Sequence, residues 1–186
     1  MTAIRLIGQT LLPDIPILET ERLRLRHHRI TDLDALSKMW ADDNFVRFIG
    51  GKRRSQADVW KTLQSTIGGW ALLGYGYWAI ETKGDGTLIG EMGFLEGLRP
   101  IEPSHIGTPE AGWAISPDQW GKGYATEALQ AALVWADGIF PEKRTVCMIE
   151  KDHKASIRVA EKCGYTLAYD SIIDDDPIHI FERKGP

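Results

Sequence analysis

Between Glu110 and Ile149 the chain reads strand, glycine turn, helix, strand, and no other stretch restricts the fold so tightly. Glu110 to Ile115 is extended and largely apolar, and Ser116-Pro117 stops it. Ala125, Ala128, Leu129, Ala132, Leu133 and Ala136 then share one helical face, recurring at the three- and four-residue spacing of an amphipathic helix. Arg144 to Ile149 is a second short apolar strand. Two such strands around one covering helix predict a parallel pair with a crossover connection.

The flanks predict a different pairing. Leu18 to Arg26 alternates Leu23 and Leu25 against Arg22, Arg24 and Arg26, the period of a half-buried strand. Thr31 with Asp34 reads as a capping box ahead of Leu33, Leu36 and Trp40. Ser55 with Asp58 repeats that signal before Val59, Leu63, Ile67 and Trp70, giving two amphipathic helices. Tyr75 to Glu81 and Thr87 to Leu95 are the arms of a hairpin around Lys83-Gly84-Asp85-Gly86. Gly97 to Thr108, with Pro100 and Pro103, is a loop. Asp152 is placed to cap a helix ending at Gly164. Strands near Tyr165–Tyr169 and Ile178–Arg183 then flank an acidic turn, Asp174 to Asp176. The expected fold is α/β of the mixed α+β kind. Its central sheet is mixed and mostly antiparallel, with about six to seven strands, one parallel pair and helices on both faces. Residues 1–17 are expected to be a loose lead-in and 18–186 one domain.

Composition narrows the class. The chain has 186 residues, 43% of them hydrophobic, which suits one ordinary core. A formal charge of −4 lacks the broad basic footprint of a nucleic-acid binder. The local clusters Arg22 to Arg29 and Lys52 to Arg54 do not reverse that. Cys147 and Cys163 are expected as buried thiols of a reducing compartment, without a disulfide. No secretory start and no bilayer-length apolar run is present, so a cytoplasmic protein with no membrane partner is expected. His27, His28, His105, His153 and His179 lack ligand spacing, so no metal site is expected.

Chemistry concentrates in Trp120-Gly121-Lys122-Gly123-Tyr124-Ala125-Thr126-Glu127-Ala128. Glycines at a helix start let an anion approach unpaired backbone N–H groups and the positive end of the helix dipole. The same residues serve equally as a simple turn and helix cap. The spacing matches neither the dinucleotide fingerprint nor the P-loop.

Preceded by Ala111-Gly112-Trp113-Ala114-Ile115-Ser116-Pro117, this segment resembles the acetyl-CoA motif of the GNAT superfamily. It is closest to the RimJ/RimL-like branch of ribosomal-protein N-terminal acetyltransferases. Ala155-Ser156-Ile157-Arg158-Val159-Ala160-Glu161-Lys162-Cys163-Gly164-Tyr165 is similar to a second segment of that branch, and Leu18 to Arg26 is similar to its opening. Trp78-Ala79-Ile80 and Leu88-Ile89-Gly90 stand where the family has its second and third strands.

The resemblance implies a GNAT-like fold with a splayed parallel pair and an acetyl-CoA-dependent N-acetyltransferase. An amine, on a protein N-terminus or a small molecule, would attack the thioester directly. It implies that Gly121, Lys122, Gly123, Tyr124, Ala125 and Thr126 cradle the pyrophosphate and that Trp113, Ala114 and Ile115 pair with the pantetheine arm. Trp120 stands where the superfamily pattern has Gln or Arg, and His153 where the branch has Asn. The thiolate-protonating Tyr of many members is Ala160 here, and the branch's alternative acid matches Ser156. Glu110 is the first candidate base and Glu91 the second. A catalytically silent acyl-CoA-binding module on the same fold is the alternative, and monomer and homodimer both suit the family.

Overall fold

The computed structural model describes residues 14–173 and 175–186. Its strands are β1 (Leu18–Glu19), β2 (Leu23–Arg26), β3 (Tyr77–Thr82), β4 (Leu88–Leu95), β5 (Glu110–Ile115), β6 (Arg144–Glu150), β7 (Thr166–Ile173) and β8 (Asp176–Lys184). They form one eight-stranded sheet in the order β1-β2-β3-β4-β5-β6-β8-β7. Every neighbouring pair is antiparallel except β5 and β6. The helices are α1 (Leu33–Trp40), α2 (Asp43–Val46), α3 (Gln56–Leu73), α4 (Tyr124–Ile139) and α5 (Lys154–Lys162).

The sheet exceeds the expected six to seven strands because Leu18 to Arg26 is not one strand. It reverses over Thr20 to Arg22, so that Leu18 pairs with Leu25. Thr20 Oγ1 accepts from the Leu23 N–H at 2.8 Å and closes the turn. Within β2, Leu23 and Leu25 are fully buried and Arg24 is exposed, but the alternation breaks at Arg26, which is buried against Asp32 and Glu81.

Successive residues of β5 point to opposite faces, and each face meets its own helices. Ala111 and Ile115 join the main core with Leu129, Leu133 and Ala136 of α4 and Ala160 of α5. Ala114 packs with Leu88 against Leu36, Trp40, Val59 and Leu63 of α1 and α3. Burying a large apolar side chain stabilises by roughly 1.5–3 kcal/mol, so these two clusters hold the layers together.

Two of the expected caps are corrected. Ser55 does cap α3: its Oγ accepts from the Asp58 N–H at 3.2 Å and donates to the Asp58 carboxylate at 2.6 Å. Thr31 and Asp34 form no such box. Asp32 precedes α1 and makes no side-chain cap to it, because its carboxylate is taken by the Arg26 guanidinium (2.8 and 2.9 Å) and the Arg29 N–H (2.7 Å). Likewise His153, not Asp152, is the N-cap of α5, again without a side-chain cap bond.

The expected lead-in lies mostly in residues 1–13, outside the described residues. Its described end is not loose. Ile15 is buried in the main core, and the Pro16 carbonyl accepts from Trp78 Nε1 at 2.8 Å. In the acidic turn, Asp174 is outside the described residues, and Asp175 turns the chain at φ 71°. Cys147 and Cys163 are buried free thiols. Among the described residues, no helix is long and apolar enough to cross a membrane.

Candidate active site

The parallel strands β5 and β6 touch at one register position, Glu110 opposite Val146, and then separate. Each is fully occupied on its far side. β4 holds β5 from Leu95↔Glu110 to Gly90↔Ile115, and β8 holds β6 from Arg144↔Lys184 to Glu150↔Ile178. The inner edges therefore carry backbone groups with no ladder partner. The gap widens into a cavity of about 690 Å³, within the range of small-molecule sites. Glu91, Glu110, Trp113, Ala114, His153 and Ser156 all line it, so the structure brings together six residues chosen from the sequence. Ile115 instead turns its side chain into the core.

The β4–β5 wall is made smooth by Gly93 opposite Gly112. A Cβ on Gly112 would lie 2.0 Å from the Tyr77 hydroxyl, so the Tyr77 ring reaches across from β3 over that glycine. Burial, then the charges of Glu110 and Glu91, raise the Tyr77 pKa, which keeps its O–H protonated inside the cavity. In the sequence Tyr77 stands only as one residue of the hairpin arm Tyr75 to Glu81. The glycine pair across from it was the available signal.

The carboxylates differ in how they are held. Glu110 accepts two parallel bonds from Arg99, Nε and Nη2 each at 2.8 Å, so both oxygens are engaged. Glu91 has a single contact, its Oε2 lying 3.3 Å from His28 Nε2. Both Glu91 and His28 are buried, and His28 Nδ1 has no hydrogen-bond partner among the described residues. Glu150, at the open end of β6, is a further cavity carboxylate that sequence reasoning missed, and Glu96 and Asp176 line the cavity as well. Burial raises its pKa first, and the like charges of Asp176 and Asp152 add to the effect. Its neighbours are brought by β8 and by the turn after β6, which no local sequence pattern announces.

Opposite lies the start of α5. Ser156 is buried, with its Oγ 3.3 Å from His153 Nε2. The His153 ring stacks on Phe48, centroids 4.2 Å apart and planes 12° apart. Burial, aided by the Arg47 charge, pushes the His153 pKa down to about 4, so the imidazole is neutral at pH 7. Ser156 therefore sits beside an uncharged ring nitrogen.

The glycine segment lies outside the cavity lining, past the end of β5. Gly121 and Gly123 have φ of 75° and 81°, a region that favours glycine, and Gly123 is the N-cap of α4. Gly123 supplies no side-chain cap, so among the described residues the first-turn amides have no side-chain acceptor. Tyr124, Ala125 and Thr126 form that turn. Neighbouring side chains turn elsewhere. Trp120 Nε1 donates to the Ile115 carbonyl at 2.6 Å, which occupies the donor of the indole and ties off the free edge of β5. Lys122 Nζ donates to Gln119 Oε1. Arg22 reaches over from the β1–β2 turn, bonding Glu127 in α4 and the Lys122 carbonyl, with its guanidinium 4.7 Å from the Tyr124 ring centroid. The sequence had placed Arg22 on the outer face of a strand.

Comparison with known proteins agrees with this geometry. A family model described as an acetyltransferase (GNAT) domain matches residues 22–166. The chain is 28% identical over 162 residues to YjdG of Bacillus subtilis, named an uncharacterized N-acetyltransferase, covering 83% of this chain and 92% of that protein. Its fold superposes on an acetyltransferase from Agrobacterium tumefaciens with a TM-score of 0.79 and 26% identity, covering 96% of this chain and 99% of that one. It superposes with a TM-score of 0.73 on RimL, a ribosomal L7/L12 alpha-N-protein acetyltransferase solved with coenzyme A. Identity there is 20%, over 91% of this chain and 98% of RimL.

Proposed function

This chain belongs to the GNAT acetyltransferase family and is an N-acetyltransferase, and we propose that acetyl-CoA and a primary amine meet inside the β5–β6 gap. The observation that carries this reading is the single-position pairing of the two parallel strands. It leaves unpaired backbone beside a cavity of substrate size. The coenzyme A complex of RimL supports the choice of donor.

In this reading the pantetheine amides pair with the free edge of β5 near Trp113, and the pyrophosphate rests on the first-turn amides of α4 beyond Gly121 and Gly123. With Trp120 and Lys122 turned aside, backbone groups supply these contacts. His153 and Ser156 border the thioester end of the gap. The amine attacks the thioester carbonyl, a C–N bond forms, and the tetrahedral oxyanion is held by a β5 N–H. Collapse breaks the C–S bond. Ser156 donates its hydroxyl hydrogen bond to the departing thiolate.

The proton lost by the amine goes to Glu91 rather than Glu110. Glu110 is held through both oxygens by a guanidinium, whereas Glu91 has one oxygen without a donor among the described residues. This reverses the order expected from the sequence. The domain is proposed as one catalytic unit over 18–186, serving a protein N-terminus or a small amine as a monomer or homodimer in the cytoplasm.

A thermal-shift titration with acetyl-CoA, with NAD as comparison, tests the donor, because a ligand of the native state raises Tm by mass action. A saturable shift with acetyl-CoA alone is expected, and no shift at millimolar acetyl-CoA overturns the reading. Ser156→Ala should then lower kcat while leaving acetyl-CoA affinity intact. An unchanged kcat removes Ser156 from the mechanism.

A further inference from the structure

Resting on the acetyl-transfer reading above, we propose that the acceptor amine also carries an anionic group, a carboxylate or phosphate, and that Arg54 binds it. Arg54 immediately precedes the Ser55 cap of α3 and lines the cavity with Trp40 and Thr62. Its backbone N–H donates to the Trp40 carbonyl at 3.0 Å. Its guanidinium lies 3.6 Å from the Trp40 ring centroid, and Nη1 donates to Thr62 Oγ1 at 3.1 Å. The side chain is thus fixed by a ring and a hydroxyl, both neutral.

The other cavity arginine is treated differently. Arg99 is bonded by both oxygens of Glu110. Arg54 has no carboxylate within 4.0 Å among the described residues; Glu91 and Asp58 act on it only through space. A guanidinium has five N–H donors, and Thr62 takes one. Removing such a cation from water without an ion pair is unfavourable, and an anion of matching fork geometry offsets the cost. Burial of the half-buried guanidinium pushes the Arg54 pKa down from its usual value, against the opposing charges of Glu91 and Asp58.

Charge is sorted along the cavity. Arg54 stands on the α1–α3 side, and Glu91 and Glu150 face the strand gap. A ligand with its amine at the gap and its anion at Arg54 matches both ends. A volume of about 690 Å³ suits a small aminocarboxylate or aminophosphate.

The test compares matched amines under saturating acetyl-CoA. L-amino acids are set against their amides, and O-phosphoethanolamine against ethanolamine, with wild type and Arg54→Gln. Wild type should prefer the charged member by roughly 10- to 100-fold in kcat/KM, the scale of one hydrogen-bonded charge. The arm that shows the preference identifies carboxylate or phosphate. Arg54→Gln should erase the preference and leave KM for acetyl-CoA unchanged. Equal use of neutral amines by wild type, or turnover of protein N-termini alone, overturns the proposal, as does a preference that survives Arg54→Gln. If Arg54→Gln does not fold, the wild-type comparison still decides. An acetyl-CoA thermal shift in the same preparations separates the failures: with it present, only the Arg54 assignment falls; without it, the acetyl-transfer reading falls.

Discussion

The two walls of the cleft are built differently. The β4–β5 wall is backed by a dense aromatic cluster. Trp78 sits 4.8 Å from Trp70 and 5.1 Å from Trp135, and Phe94 lies 5.3 Å from Phe140, all centroid to centroid in edge-on contact. The β6–β8 wall joins the main core through Cys147, Ile149 and Phe181 on one face, but its other face rests on a smaller cluster of Ile101, Ile178 and Ile180, and its outer strand β7 is largely exposed. The stiff wall carries Glu91, Glu110 and the Tyr77 trough, while the thinner wall carries Glu150 and leads into Ser156. A reacting carboxylate needs fixed geometry, and a packed interior supplies it. On the face of the small cluster, and along β7, the thinner wall has less buried apolar surface, and that side is the one suited to yield as ligands enter.

The sharpest test of this contrast lies within the stiff wall. Glu91→Gln should lower kcat by about 100-fold or more, the usual range for a lost general base. Glu110→Gln should act chiefly on stability, since it breaks the paired charge-assisted bonds from Arg99. Equal losses of kcat would put both carboxylates in the reaction.

Next in size is the backing of that wall. Trp78→Ala should cost about 3–5 kcal/mol in denaturant unfolding, because a fully buried indole leaves a cavity. Ile178→Ala, in the smaller cluster, should cost less. The reverse order would mean that the β6–β8 wall is the rigid one.

The two facing glycines separate stability from function. A Cβ on Gly93 would meet backbone, the Gly76 carbonyl oxygen at 2.2 Å and Tyr77 Cα at 2.5 Å. Gly93→Ala should therefore destabilise by roughly 1–3 kcal/mol. On Gly112 the first obstacle is the tip of the Tyr77 side chain, which can swing away. Gly112→Ala should keep Tm near wild type and still lower kcat/KM by displacing that hydroxyl.

The last test is a pH dependence from the thinner side. Burial lowers the His153 pKa from 6.5 to about 4 in the folded protein. Between those values the unfolded chain binds a proton that the folded chain does not, so stability falls as pH falls from about 6.5 to 4. Below that window His153 adds nothing further. His153→Asn should remove this part of the slope, measured as the difference in unfolding free energy between variant and wild type. An unchanged difference across the window would mean that the ring is not buried against Phe48.

Much of the fold was legible because it is written in local periodicity. The helical face from Ala125 to Ala136, the strand Glu110–Ile115 and the Ser55 cap all depend on neighbours a few residues apart. The misses have one cause. Arg22 and Asp32 look like a strand-face charge and a bystander to a capping box, but distant partners decide their roles: Glu127 in α4 and Arg26 in β2. The reversal at Thr20 to Arg22 was hidden for the same reason, since a short strand and its return share one alternation.

The sequence by itself determined the element order from α3 onward, the parallel pair, the glycine-started helix and the family resemblance, since each rests on spacing along the chain. Only the tertiary structure decided which carboxylate is held by a guanidinium, where the donors of Trp120 and Lys122 point, and that Arg54 enters the cavity with no carboxylate within 4.0 Å among the described residues. Those outcomes depend on which charges meet across strands far apart in sequence, and charge interactions are set by distance and burial rather than by order in the chain.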